Sequence, residues 1–345
     1  MMTLVASGLA WSASPPYLPT PPQVVSTVPS NGDVNPYGVA FVPNGFPGGV
    51  LNPGDILVSN FNNSQNLQGT GTTIIRVPIG GAPSLFFQGK APLGLTTALV
   101  TLKAGLVLVG NLPTADGTCA TAQPGSILVL DAKGNLLQTL TSSMIDGPWD
   151  ATVIDQGSRA QLFVSNVLNG TVVRLNLALA PSGVTVGSAT QIGSGYMHRC
   201  DPAALVVGPT GLVFDPRSNN LLVASTEDNE VFRIPSANST NHDNGTGAVV
   251  YSDDQHLHGP LAMAPAPNGD FLVSNSDVIN ADPNQPSEIV EFTKGGQFVS
   301  QLSVDPNFGG SFGLATNVTG NISHFAAVDD NAANMTIYTL PVLSH

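Results

Sequence analysis

Apolar residues in this chain come in short runs of four to eight, alternating with polar residues or wholly apolar, each bounded by Gly, Pro, Asn or Asp. Ile56–Ser59, Ile74–Val77, Leu106–Val109, Ile127–Leu130 and Leu162–Ser165 are typical. Runs of that length with β-branched residues and turn-forming borders predict strands rather than helices. The runs recur in groups of three. In unit one they are 36–43, 55–60 and 73–77; in unit two 94–102, 105–111 and 126–130; in unit three 148–154, 161–166 and 171–175. Units four to six follow at 209–214, 221–226 and 230–234, at 260–264, 270–275 and 287–292, and at 311–316, 324–330 and 335–340.

Pro36, Leu95, Pro148, Pro209, Pro260 and Ser311 are equivalent starts, separated by 59, 53, 61, 51 and 51 residues. A β unit repeating at about 40–50 residues is the signature of propeller blades. A fourth run follows most third ones, at Ser84–Phe87, Leu136–Leu140, Ala248–Tyr251 and Phe298–Leu302. Unit six has none, while Val24–Val28 precede unit one without a partner. The pattern therefore predicts an all-β fold: a six-bladed β-propeller of four-stranded antiparallel blades, closed by the N-terminal strand. Closure removes the exposed edges an open array would leave.

The P-x-G-L/V-A/V-F starts, the V-S-N strand ends and the I/V-x-R-V/I/L third strands resemble NHL-type repeats. The wider relatives implied are the gluconolactonase-like and peptidyl-amidoglycolate-lyase-like six-bladed propellers, over about residues 24–340. NPYGVAFVPNGFPGG at 35–49 and DPNQPSEIVEFT at 282–293 also resemble a group of bacterial secreted propellers. The lyase-like relatives imply a metal on channel-mouth histidines. The gluconolactonase-like ones imply a divalent cation held by a Glu, Asn residues and an Asp. The slot for that Glu reads Asn35-Pro-Tyr-Gly38 here, which departs from the pattern. Asn60, Asn111, Asn166 and Asn275 end four of the six second strands, so they read as a turn device rather than a cation set.

Antiparallel blades place the loops before first strands and after second strands on one face. That face carries the long loops 59–72, 110–125, 192–209 and 274–287, and most of the Asp residues. Long loops on one face of a repeat array mark its binding face. The starts of the first strands should line the channel, with Tyr37, Trp149 and Phe312 as an aromatic rim and Asp150 as the one carboxylate. Asp150 is the candidate catalytic base, and Tyr37, Trp149, Phe312 and Asp201 the candidate ligand contacts. His198, His256 and His258 map to loops above, as candidate ligands for a divalent metal, Zn or Ca; three imidazoles with an open position suit catalytic zinc. Cys119 and Cys200 fall on the same face and suit either a disulfide or two free thiols.

Charge narrows the partners. Lys and Arg number 10 against 23 Asp and Glu, for a net charge of -13. Such a chain is a poor binder of nucleic acid. The expected partner is a protein, a glycan or a small molecule. Residues 1–22 read as a signal remnant or extended Pro-rich leader, with an apolar run at Leu4–Ala10, and 23–345 as the single propeller domain. No later apolar run is long enough for a transmembrane helix, and export, to a secreted or periplasmic location, is expected. There is no P-loop or dinucleotide fingerprint. Two functions compete: a binding propeller using the acidic channel-mouth face, and a metal-dependent lyase or hydrolase at the same mouth.

Overall fold

The computed structural model describes Tyr17 and residues 23–342; the rest of the expected leader, 1–22, and residues 343–345 lie outside the described residues. Six four-stranded antiparallel sheets follow one another around a ring. Blade one is Val34–Phe41, Ile56–Asn62, Thr73–Val77 and Ser84–Gln88, from the channel outward. Blade two is Leu95–Leu102, Leu106–Asn111, Ser126–Asp131 and Leu136–Leu140. Blade three is Pro148–Asp155, Arg159–Asn166, Thr171–Ala180 and Gly183–Gly193. Blade four is Pro209–Asp215, Asn220–Ser225, Glu230–Ile234 and Ala248–Ser252. Blade five is Pro260–Pro265, Phe271–Asn275, Glu288–Phe292 and Phe298–Ser303. Blade six takes Ser311–Thr319, Ile322–Asp329 and Asn334–Pro341 from the C-terminal end and Gln23–Ser26 from the N-terminal end. Val25 pairs with Met335, as closure requires.

The apolar faces pack between successive blades, and one further cluster at the axis gathers residues from several of them. Leu57, Ile74, Leu99 and Val107 join blades one and two; Leu106, Val129, Leu162 and Val173 join two and three. Two features escape the sequence pattern. The fourth strand of blade three, Gly183–Gly193, is mostly Gly, Ser and Thr on its exposed side, so it carries no apolar run. The loop expected at 192–209 contains a small hairpin, Arg199–Asp201 against Leu205–Val207.

The V-S-N strand ends have a physical explanation. Ser59 Oγ accepts the Gly38 N–H and donates to the Thr96 carbonyl of the next blade. Ser165 accepts from Asp150 N–H and donates to the Thr210 carbonyl. In blades two and four the second strand has Gly110 or Ala224 in that slot, and the hydroxyl comes from the first strand instead: Thr96 and Thr210 donate to the carbonyls of Pro148 and Pro260. In blade two a Cβ on Gly110 would collide with Thr96 Oγ1. The Asn that follows is the turn device expected. Asn111 accepts from Gly94 N–H and Asn166 from Asp146 N–H, fixing the incoming loop, while their amides donate to Ser126 and Thr171 of the third strand.

Each first strand also breaks register once, between Pro36 and Val39 in blade one and at the matching place in the other five. A bulge re-aims the side chains it releases. Here it frees Tyr37 and Gly38, Trp149 and Asp150, and Phe312 and Gly313 from the ladder at the channel.

Candidate binding site at the channel mouth

Tyr37, Phe61, Trp149 and Phe312 meet at the axis. Tyr37 stacks on Phe61 and Phe312 with ring centroids 4.6 and 4.5 Å away, and Trp149 meets Tyr37 and Phe61 edge-on at 5.6 and 5.5 Å. Offset-stacked and edge-to-face pairs of this kind add to area burial. Two cavities lie along the axis, and they share no lining residue.

The first cavity, about 360 Å³, opens on the long-loop face. Its floor is the aromatic cluster with Leu261. Its walls are loop residues of blades one, five and six and the hairpin turn at Ala203 and Ala204. Its size falls in the range of small-molecule pockets, which combine an apolar lining with a few placed polar groups. Tyr37, Trp149 and Phe312 therefore lie together in the lining of this cavity.

The polar groups are ones that sequence reasoning did not single out. Asn35, held in the left-handed region at φ 63°, donates from its amide nitrogen to Asp330 Oδ1 at 2.6 Å and accepts from Asn62 Nδ2 at 2.7 Å. Asn62 also donates to Asn66. Burial, reinforced by the neighbouring Asp329, raises the Asp330 carboxyl to about 7. Burial, and then Asp330, push the Tyr37 phenol well above its ordinary range. Asp277 is also raised, by burial against the partial relief of the Gly309 and Ser287 N–H groups. Two buried polar atoms on wall residues, Trp149 Nε1 and Asp277 Oδ1, have no hydrogen-bond partner among the described residues. Asp277 and Asp330 belong to a dozen or so acidic loop positions on this face, and nothing in their spacing separates them from the others.

The hairpin that walls one side is tied down. Cys119 and Cys200 form a disulfide with Cα atoms 5.6 Å apart, joining it to the blade-two loop. Gln68 Nε2 donates to the Ala203 carbonyl at 2.7 Å. Asp201 is a correction: it stands outside the cavity lining, accepts the N–H groups of Ala203 and Ala204, and pairs with Arg199 at 2.5 Å. Its work is to shape the turn.

Asp150 is a second correction to the channel-mouth grouping. It lies beyond the aromatic cluster, in the second cavity of about 190 Å³, because the bulge that aims Trp149 at one end aims the next residue at the other. Both carboxylate oxygens are used: Oδ1 accepts from Ala151 N–H at 2.7 Å and Oδ2 from Leu212 N–H at 3.0 Å. Burial raises it to about 7 in spite of those bonds.

The histidines do not converge, which corrects the shared metal site. His198 Nδ1 bonds the Tyr196 carbonyl. His256 stacks on Phe298 with centroids 3.7 Å apart and bonds Asp253 at 2.7 Å. His258 is buried, with Nδ1 on the Asn280 carbonyl at 2.6 Å and Nε2 3.9 Å from Glu288. Among the described residues no group of three His, Cys, Asp or Glu side chains is placed to hold a metal ion. His198, His256 and His258 thus do not form the shared metal site that the lyase-like resemblance implies.

No protein-family model matches the chain, and no curated protein matches it. Solved structures do. A candidate gluconolactonase is similar at 15% identity over 95% of this chain and 96% of its own, with a TM-score of 0.56. A luciferin-regenerating enzyme is similar at 11% identity over 94% and 96%, with a TM-score of 0.54. A candidate oxidoreductase (glucose dehydrogenase) from Thermus thermophilus is similar at 12% identity over 93% and 100%, with a TM-score of 0.53. At these identities the likeness is one of fold, and by fold the chain is a six-bladed β-propeller of the architecture these proteins share.

Proposed function

We propose that this protein is an exported propeller that binds a small molecule at the channel mouth. One observation carries the reading: a cavity of about 360 Å³, floored by Tyr37, Trp149 and Phe312, opens on the long-loop face with Asn35, Asn62, Asp277 and Asp330 in its lining, an apolar floor with a few polar groups of the kind small-molecule pockets combine. The disulfide supports the export part, since such bonds persist in oxidising compartments. The alternative, a metal-dependent lactonase-like hydrolase or lyase, rests on likeness of fold alone, which does not transfer activity.

The test is a fragment screen by saturation-transfer NMR on the full chain, repeated on Ala204→Trp. Ala204 sits on the rim, and an indole there fills the mouth without touching the core. Fragments that bind the parent and not the filled variant support the reading. Fragments that bind both equally, or none at all, refute it.

A further inference from the structure

Around the channel mouth, two carboxylates, Asp277 and Asp330, share the wall with four aromatic rings, and no Lys, Arg or His lines the cavity. Asp330 has only the neutral Asn35 amide against its oxygens. Asp277 uses one oxygen on the N–H groups of Ser287 and Gly309, and its other oxygen is unpartnered and buried. Buried carboxylates are ordinarily paired with a cation. Here no Lys, Arg or His lines the cavity, while Tyr37, Trp149, Phe312 and Phe308 do, and aromatic side chains attract positive charge.

We propose that the mouth recognises an organic ammonium compound, its charged nitrogen held by Asp330 and Asp277 and its apolar body against the aromatic floor and Leu261. The inference rests on the small-molecule reading above and names the chemical class of its ligand. A primary or secondary ammonium brings both N–H donors and the counter-charge that no Lys, Arg or His supplies in the cavity lining. A neutral polyol brings donors alone and leaves both carboxylates without a counter-charge.

The groups that titrate around Asp330 are Asp329 on its own loop and Tyr37 beneath it; Asp305 stands near Asp329, and Asp277 faces His258 and Glu288, neither of which lines the mouth. Ammonium binding draws on the ionised form of Asp330, so affinity rises with pH through about 7 and stays high until the amine itself loses its proton.

Calorimetric titration of the full chain with cyclohexylmethylamine and with its neutral counterpart cyclohexylmethanol separates the cases. The amine should bind at least about tenfold more tightly at pH 8. That preference should shrink at pH 6 and fall to within about threefold in Asp330→Asn, with Asp277→Asn as a second variant if the first folds poorly by circular dichroism. Equal affinity for the two probes, no binding of the amine, or a preference untouched by both variants overturns the inference. If the alcohol or other neutral fragments still bind at the mouth, the small-molecule reading survives that failure; if nothing binds there, both fall.

Discussion

The Asp150 carboxylate of blade three accepts the backbone N–H of Leu212 in blade four at 3.0 Å. The slot it occupies is Gly38, Thr97, Gly211, Ala262 and Gly313 in the other blades; of these Thr97 also reaches the next blade, donating to the Trp149 carbonyl, so Asp150 is the one carboxylate among the clamps. It also bonds Ala151 N–H, so each of its oxygens already accepts a backbone donor. Asp150→Ala orphans two backbone donors, each worth roughly 1–3 kcal/mol when buried unpaired. Urea unfolding should show a loss of about 2–4 kcal/mol. Fragment binding at the mouth should be unchanged, because the aromatic cluster lies between. A loss of binding without a loss of stability would restore Asp150 to the site.

Asp150 and Asp330 are both raised to about 7, in each case chiefly by burial. A raised carboxyl binds its proton more tightly folded than unfolded. Its contribution is complete below the unfolded value near 4 and is lost as pH rises through the folded one. Thermal midpoints should therefore decline from about pH 5 to pH 8. His324, lowered by burial, opposes this as one half-buried group. Asp330→Asn removes one of the two ionisations and should flatten the decline. A midpoint that climbs steadily over the window would contradict the burial argument.

Ring closure rests on a four-residue strand. Val25 is buried and Val24 is 59% exposed, as alternation along Gln23–Ser26 requires. Thr27 adds two bonds to the Ala333 carbonyl. Val25→Asp should cost about 3 kcal/mol or more, by placing an unpaired charge against Met335 and Ile337. Val24→Asp should change stability by less than about 0.5 kcal/mol. Equal effects at the two positions would mean that the strand is not what closes the ring.

The Cys119–Cys200 bridge spans 81 residues. Chain entropy alone gives about 4–5 kcal/mol for a loop of that size, and measured values commonly reach about 2–4. The Cys119→Ser, Cys200→Ser double variant should lose about 2–4 kcal/mol in denaturant unfolding. It should also weaken binding at the mouth, since the hairpin at Ala203 and Ala204 loses its tether. Unchanged affinity in that variant would show that the Gln68 bond and the ion pair of Arg199 with Glu227, at 2.9 Å, hold the hairpin unaided.

The architecture was legible in the chain because each blade must repeat the same physics. Period-two apolar runs, a hydroxyl or a small residue at the strand end, and in four blades an Asn to fasten the loop recur at steps of 51 to 61 residues, and the unpaired Val24–Val28 run declared the closure. The face map was legible for the same reason: antiparallel strands fix which loops share an end. The aromatic floor followed, since Tyr37, Trp149 and Phe312 occupy one repeated slot.

The depth at which neighbours point did not follow. A bulge of a residue or two in the first strand turns Trp149 to one end of the channel and Asp150 to the other, and residue spacing carries no record of that. The histidines failed for a related reason. A shared face brings loops to the same end of the molecule, yet ligation requires atoms about 2 Å from one ion, and each imidazole is committed to a carbonyl or carboxylate of its own surroundings. Asp330 and Asp277 gained their standing only from packing, because what distinguishes them from the other acidic loop residues is that they line the mouth cavity, a property of the assembled ring.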